Sequence, residues 1–199
     1  LPDASSACEV LCSLMDPEKI NKQAACALYM GIAHDTGVFQ YSCTSPDTMR
    51  VAAMLMEKGV PHTYILEETY YKKTYRQNQV MGKALLESMR LMDGKIIISV
   101  MRKREMDFFG VTTTDLDGIV SQLKLTEGVE VAIFLYEVGN MEFKVSLRSK
   151  EQVDVSKVAS YFGGGGHIRA AGCTMSGSVH DVINNLSALI EKQIKENEA

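Results

Sequence analysis

The chain has 199 residues, 46% of them hydrophobic and 23% charged; that composition belongs to a core-forming protein with room for one large or two small domains, not to a disordered chain. A formal net charge of −4 excludes a global basic field, so any contact with nucleic acid must be local and small. Five cysteines, an odd number without a C-x-x-C pair, argue against a zinc or disulfide framework and fit a reducing cytoplasm. No apolar run reaches the roughly 18 residues of a membrane span and no signal peptide is recognised.

In chain order, ASSACEVLCSLM (4–15) predicts a helix capped by Ser5 or Ser6, with Glu9 placed for a capping box. A second helix is expected over 17–33, with Pro17 in its first turn. It ends in the sharp turn of His34-Asp35-Thr36-Gly37. A third helix follows Ser45-Pro46 and stops at Gly59. A short helix after Pro61 and a longer polar one over about 70–92 come next, with Tyr70, Tyr71 and Tyr75 expected half-buried. The texture changes at Asp93-Gly94. KIIISVM reads as a strand, DLDGIVSQL as a helix from about Asp115, and VEVAIFLYEV and MEFKVSLRS as a hairpin around Gly139-Asn140. VDVSKVASYF is a helix, CTMS a short strand, and the last helix from Ser178 carries Val182, Ile183, Leu186, Leu189, Ile190 and Ile194 on one face.

Three places carry chemistry-bearing residues. Gly163 to Gly166 and His167 offer backbone N–H groups to an anion and a close approach to the main chain; a mobile surface loop is the alternative. Arg148 supplies a planar fork for phosphate and Ser149 a hydroxyl, or Arg148 is an ordinary solvated side chain. Asp35 is either a metal-binding carboxylate at a turn or a cap for backbone N–H groups, and His34 beside it is a ligand or packed.

Taken together and in this order, GIAHDTGVFQY, VSLRS and DVSKVASYFGGGGHIRAAG closely resemble the DHH phosphoesterase family, in particular the RecJ-like branch of nanoRNases that also dephosphorylate 3′-phosphoadenosine 5′-phosphate (pAp). PDASSACEV resembles the segment that follows the DHH motif in that branch. The resemblance implies an α/β fold: the truncated helical remainder of a DHH domain over 1–70, a helical connector over 71–92, and a small mixed-sheet DHH-associated domain over 93–199. It implies that Asp35 binds manganese, that Arg148 and Ser149 grip the substrate phosphate, and that Gly164, Gly165, Gly166 and His167 form the loop receiving the nucleotide, in a cleft between the domains.

The sequence holds no Asp-His-His and none of the family's earlier aspartate motifs, and it starts at Leu1 already inside family territory. A longer parent is therefore expected to be a manganese-dependent phosphoesterase of short oligoribonucleotides, pAp or cyclic dinucleotides. One aspartate cannot hold two hard cations that each need about six ligands, so these 199 residues are expected to bind nucleotide without hydrolysing it. The competing expectation is a non-catalytic nucleotide- or RNA-binding module. The expected partners are short RNA or small nucleotides, with no membrane; the tyrosine-rich connector and the helix bearing Met49, Met54 and Met56 are read as a homodimer interface or as core filler.

Overall fold

The computed structural model describes residues 4–198; Leu1, Pro2 and Asp3, where the PDASSACEV resemblance begins, and Ala199 lie outside the described residues. The chain divides into two units, Leu1–Lys73 and Thr74–Ala199. The stretch expected as a connector, 71–92, thus belongs from Thr74 onward to the second unit, where Val80 and Ala84 enter its core.

The first unit is helical: α1 (Ala7–Leu14), α2 (Lys22–Asp35), α3 (Pro46–Glu57) and α4 (His62–Leu66), the last running into a π-helical turn over Glu67–Tyr71. Its core is built on α2, whose Ala25, Leu28, Tyr29, Ile32 and Ala33 pack with Cys12, Ala52 and Leu55. The expected helix over 17–33 is two pieces. Asp16 caps a single 3-10 turn at Pro17–Lys19, and Asn21 caps α2 by accepting from the Ala24 N–H; two capping side chains five residues apart each start a helix of their own. A Cβ on Gly31 would lie 2.3 Å from Cys8 Sγ, so the close approach of α1 to α2 depends on glycine there.

Ser6 caps α1, its hydroxyl accepting from the Glu9 N–H, but the Glu9 carboxylate accepts from the backbone and hydroxyl of Ser5 and from the buried Thr48 hydroxyl at 2.8 Å. One carboxylate therefore ties α1 to the first turn of α3. Burial pushes the Glu9 carboxyl up, yet the hydrogen bonds from Ser5 and Thr48 outweigh it and hold the group below its ordinary 4.5.

The second unit opens with α5 (Tyr75–Leu86) and then runs β1 (Met89–Leu91), β2 (Ile96–Met101), α6 (Lys103–Phe109), a 3-10 turn at Thr113–Leu116, α7 (Ile119–Lys124), β3 (Val131–Gly139), β4 (Glu142–Ser149), α8 (Val155–Tyr161), β5 (Gly165–His167), β6 (Ala170–Ser176) and α9 (Val179–Glu198). The expected helix over 70–92 is broken because Thr74 and Gln77 form a capping box that starts α5 afresh. It ends at Leu86, and the chain goes on as β1, which Met92, Asp93 and Gly94, all at positive φ, turn back onto β2. Tyr70 is half-buried as expected, whereas Tyr71 and Tyr75 are exposed.

The strands form one sheet in the order β1-β2-β3-β4-β6-β5, parallel between β2 and β3 and antiparallel elsewhere. One face, with Ile96, Ile98, Ile133, Leu135, Phe143, Val145 and Leu147, packs under α8 and the Val182–Leu186–Ile190–Ile194 stripe of α9. The other face carries Ile97, Ala132 and Phe134 beneath α5, α6 and α7. This second helical layer reaches as far as β4, where α7 rests; on β6 and β5 the same face keeps Thr174, Gly165 and His167 exposed.

Because Glu9 has a depressed pKa in the fold, its contribution is complete above pH 4.5 and is lost as pH falls through the lower, folded value. Thr48→Ala should cost the first unit about 1 kcal/mol, and Glu9→Gln should flatten its loss of stability between pH 5 and more acid conditions, about the range in which a glutamate titrates. Melting curves of the two variants against pH check both; an unchanged acid slope in Glu9→Gln would refute the assignment.

Candidate functional site

Strand alternation sorts the residues of β4. Phe143, Val145, Leu147 and Ser149 point to the α8/α9 core, and Lys144, Ser146 and Arg148 to the other face. Pairing then carries that second set across the sheet. Arg148 stands opposite Ala132 on β3 and Ala170 on β6, and Ala170 stands opposite His167 on β5. One step along, Ser146 pairs with Gly172 and Gly172 with Gly165; one step further, Lys144 pairs with Thr174. Arg148 and His167 are two strands apart on one face, so their backbones sit roughly 10 Å from each other. Between them is only Ala170, and the adjacent row of Ser146, Gly172 and Gly165 opens into a cavity of about 460 Å³ lined also by Lys144, Phe162 and Thr174 among others.

The glycines do not form a free loop. Gly163 turns the chain with φ 73°, and Gly165 and Gly166 lead into the edge strand β5, joined to β6 by the two-residue turn Ile168-Arg169. Two of them are required by packing. A Cβ on Gly164 would lie 2.2 Å from the Gly172 carbonyl oxygen, and one on Gly166, at φ 148°, 2.5 Å from that of Ala170. Gly165 meets nothing within 4 Å; its bareness leaves room above the sheet. On an edge strand, alternate N–H groups have no ladder partner and remain available to a ligand.

Arg148 is half-buried, and one of its guanidinium nitrogens donates to the Leu147 carbonyl at 2.9 Å, which fixes the fork over the sheet. His167 is exposed, and its ring makes no hydrogen bond among the described residues. Ser149 lies elsewhere: it is 1% exposed, on the opposite face, and its hydroxyl donates to the Ile168 carbonyl at 3.4 Å while its N–H donates to Arg169. The structure thus brings together Arg148, His167 and the glycine row, and assigns Ser149 to holding the β5–β6 turn. The chain leaving β4 is fixed by Glu130, whose carboxylate accepts the N–H groups of Glu151, Gln152 and Val153 at 2.7–3.2 Å. Arg169 adds a bond to the Val153 carbonyl at 2.9 Å.

In the first unit, Asp35 is the last residue of α2, exposed, and without a hydrogen bond or ion pair among the described residues. A carboxylate at a helix C-terminus opposes the dipole, and Asp35 caps no backbone N–H among the described residues. The turn after it is unusual: Gly37, Val38 and Phe39 all take left-handed φ of 56–64°, held in part by the Thr36 hydroxyl, which donates to Ile32 O and accepts from Phe39 N. His34 is engaged: Nε2 lies 2.9 Å from Thr69 Oγ1, and the ring meets Tyr70 edge-on at 5.5 Å. Tyr70 in turn bonds Tyr41, and burial first, then that neighbour, pushes its phenol up to about 12. The π-helical turn that presents Tyr70 has no recognisable sequence signal. Among the described residues, no three His, Cys, Asp or Glu side chains converge, so the donor set around Asp35 does not fit a two-metal centre. No described helix is long and apolar enough to cross a membrane.

The DHHA1 domain model matches residues 93–196, which is the sheet, the glycine row and α9. The chain belongs to the DHHA1 domain family. It is similar to the bifunctional oligoribonuclease and PAP phosphatase NrnA of Thermus thermophilus, 29% identical over 155 residues covering 78% of this chain and 46% of the relative. It is likewise similar to the enzyme of that name from Bacillus subtilis, 26% identical over 181 residues covering 90% of this chain and 56% of the relative. These relatives support the resemblance to the nanoRNase branch of the DHH family, and the chain spans about half of their length. Among solved structures, an exopolyphosphatase-related protein from Bacteroides fragilis superposes with a TM-score of 0.91 at 25% identity, over 100% of this chain and 59% of that one.

The two kinds of glycine make separable demands. Gly166→Ala should destabilise the second unit by about 1–3 kcal/mol, because the backbone is left-handed and the space is taken. Gly165→Ala should stay within about 0.5 kcal/mol of the parent. Thermal melting of both variants tests this; equal losses would contradict the edge-strand geometry.

Proposed function

We propose that this DHHA1 chain supplies the phosphate-gripping surface of a manganese-dependent phosphoesterase that acts on short oligoribonucleotides, pAp or cyclic dinucleotides in the cytoplasm. The observation that carries the reading is the shared face of Arg148 and His167, with only Ala170 between them and the glycine row beside them. The free N–H groups of Arg148 take two phosphate oxygens in a charge-assisted fork. His167 donates from its ring to a third, and the unpaired N–H groups of β5 add neutral donors. Gly165 and Gly172 keep the floor low enough for a sugar-phosphate to lie flat. A ligand of one or two nucleotides needs no more positive charge than this, which reconciles nucleotide binding with a net charge of −4. The two NrnA relatives, named for oligoribonuclease and PAP phosphatase activity, support this choice of substrate class.

Manganese stands in the proposal as the cofactor that the family resemblance implies, with Asp35 as one ligand. Since no three His, Cys, Asp or Glu side chains converge among the described residues, no hydrolytic step is assigned to those around Asp35. The alternative reading is a nucleotide-binding module without catalysis, in which the Arg148 and His167 face alone takes the ligand.

Calorimetric titration with pAp tests the surface. Arg148→Ala and His167→Ala should each weaken binding, Arg148→Ala by roughly tenfold or more, the worth of a hydrogen bond to a charged group; unchanged affinity in both would sink the proposal. With manganese added, the 199-residue polypeptide should leave pAp uncleaved at any enzyme-like rate. Rapid release of phosphate would show that the metal site is more complete than Asp35 alone.

A further inference from the structure

We propose that Lys124, with Arg148 and Lys150, forms a second phosphate seat beside the first, so that the surface favours nucleotides carrying two separate phosphates. The inference rests on the reading of Arg148 and His167 as the first seat and extends it toward α7.

The cluster follows from the fold. Lys124 is the last residue of α7, and its neighbour Leu123 is buried against Ala132 in the same core. Ala132 is the β3 partner of Arg148, so the helix end and the arginine border one another. Lys150 follows Arg148 by two positions, and its ammonium donates to the Thr126 carbonyl at 3.3 Å, just past the end of α7. Three cations thus gather where the helical layer stops and the open face begins. None of the three makes an ion pair among the described residues, although most other lysines of known placement, Lys72, Lys83, Lys103 and Lys195 for example, have a carboxylate within reach. The nearby Glu130 carboxylate is taken up by three backbone N–H groups.

A lysine at a helix C-terminus is ordinary, but that does not account for two further cations beside it. The arrangement is costly without a ligand. Burial, and then the charges of Arg148 and Lys150, lower the Lys124 pKa below its ordinary 10.5. Like charges held together without an ion-paired carboxylate among the described residues favour an anion. Arg148 then stands between two seats, one shared with His167 over β6 and β5, the other with Lys124 and Lys150 beside α7. A nucleoside 3′,5′-bisphosphate or the start of a short 5′-phosphorylated RNA presents two such groups; a nucleoside monophosphate fills one.

The experiment compares pAp, 5′-AMP and 3′-AMP by calorimetry on the full chain and on Lys124→Gln, Lys124→Arg and Lys192→Gln, the last a charge-matched control on α9. The parent should bind pAp more tightly than either monophosphate. Lys124→Gln should weaken pAp binding by roughly tenfold and collapse that preference, Lys124→Arg should restore it, and Lys192→Gln should behave as the parent. Unliganded Lys124→Gln should melt no lower than the parent, because a repelled, half-buried charge is removed; a purely structural lysine would lower it. If Lys124→Gln binds pAp as the parent does while Arg148→Ala does not, the second seat is overturned and the first stands. If the parent binds none of the three nucleotides, the first seat fails and the second with it.

Discussion

The antiparallel pairing of β4, β6 and β5 is the constraint on which the site depends. Side chains alternate along a strand and pair across it, so the register of three strands decides which distant residues share a face. With Arg148 opposite Ala170 and Ala170 opposite His167, residues nineteen positions apart meet over a floor of alanine and glycine. A slip of one residue in β6 would send Arg148 and His167 to opposite sides. The buried set Phe143, Val145, Leu147 and Ser149, each at 1% exposure or less, prevents that slip by fixing the inward face of β4.

The same alternation separates two neighbours that the family resemblance joins. Arg148 and Ser149 are adjacent in sequence, and both are expected at the phosphate. Adjacent strand residues cannot face the same way. The hydrophobic partners of Ser149 at two-residue intervals in FKVSLRS were a legible sign that the serine belongs to the core side. Here it anchors the turn that follows His167.

Much of the framework was legible because long periodic segments announce themselves: α9, the β3–β4 hairpin around Gly139-Asn140, and α3 between its Ser45 cap and Gly59. The short elements were not. β1 is three residues whose strand character comes from β2, and α6 is a seven-residue helix after a strand. The glycine run read as a turn or pocket floor because glycine has little strand preference of its own; β5 exists by pairing with β6, a tertiary effect. Lys124 had no local signal, since only the docking of α7 beside β4 brings it to Arg148.

β5 is the last strand of the sheet, three residues long, two of them glycine. An edge left open to a small ligand is equally open to another protein chain, and unpaired edges are where sheets from different molecules join. Brevity and glycine answer that hazard: the strip is long enough to offer donors to a nucleotide but too short, and too bare of side chains, to template a foreign strand. The composition that would accommodate the proposed phosphate also guards against aggregation.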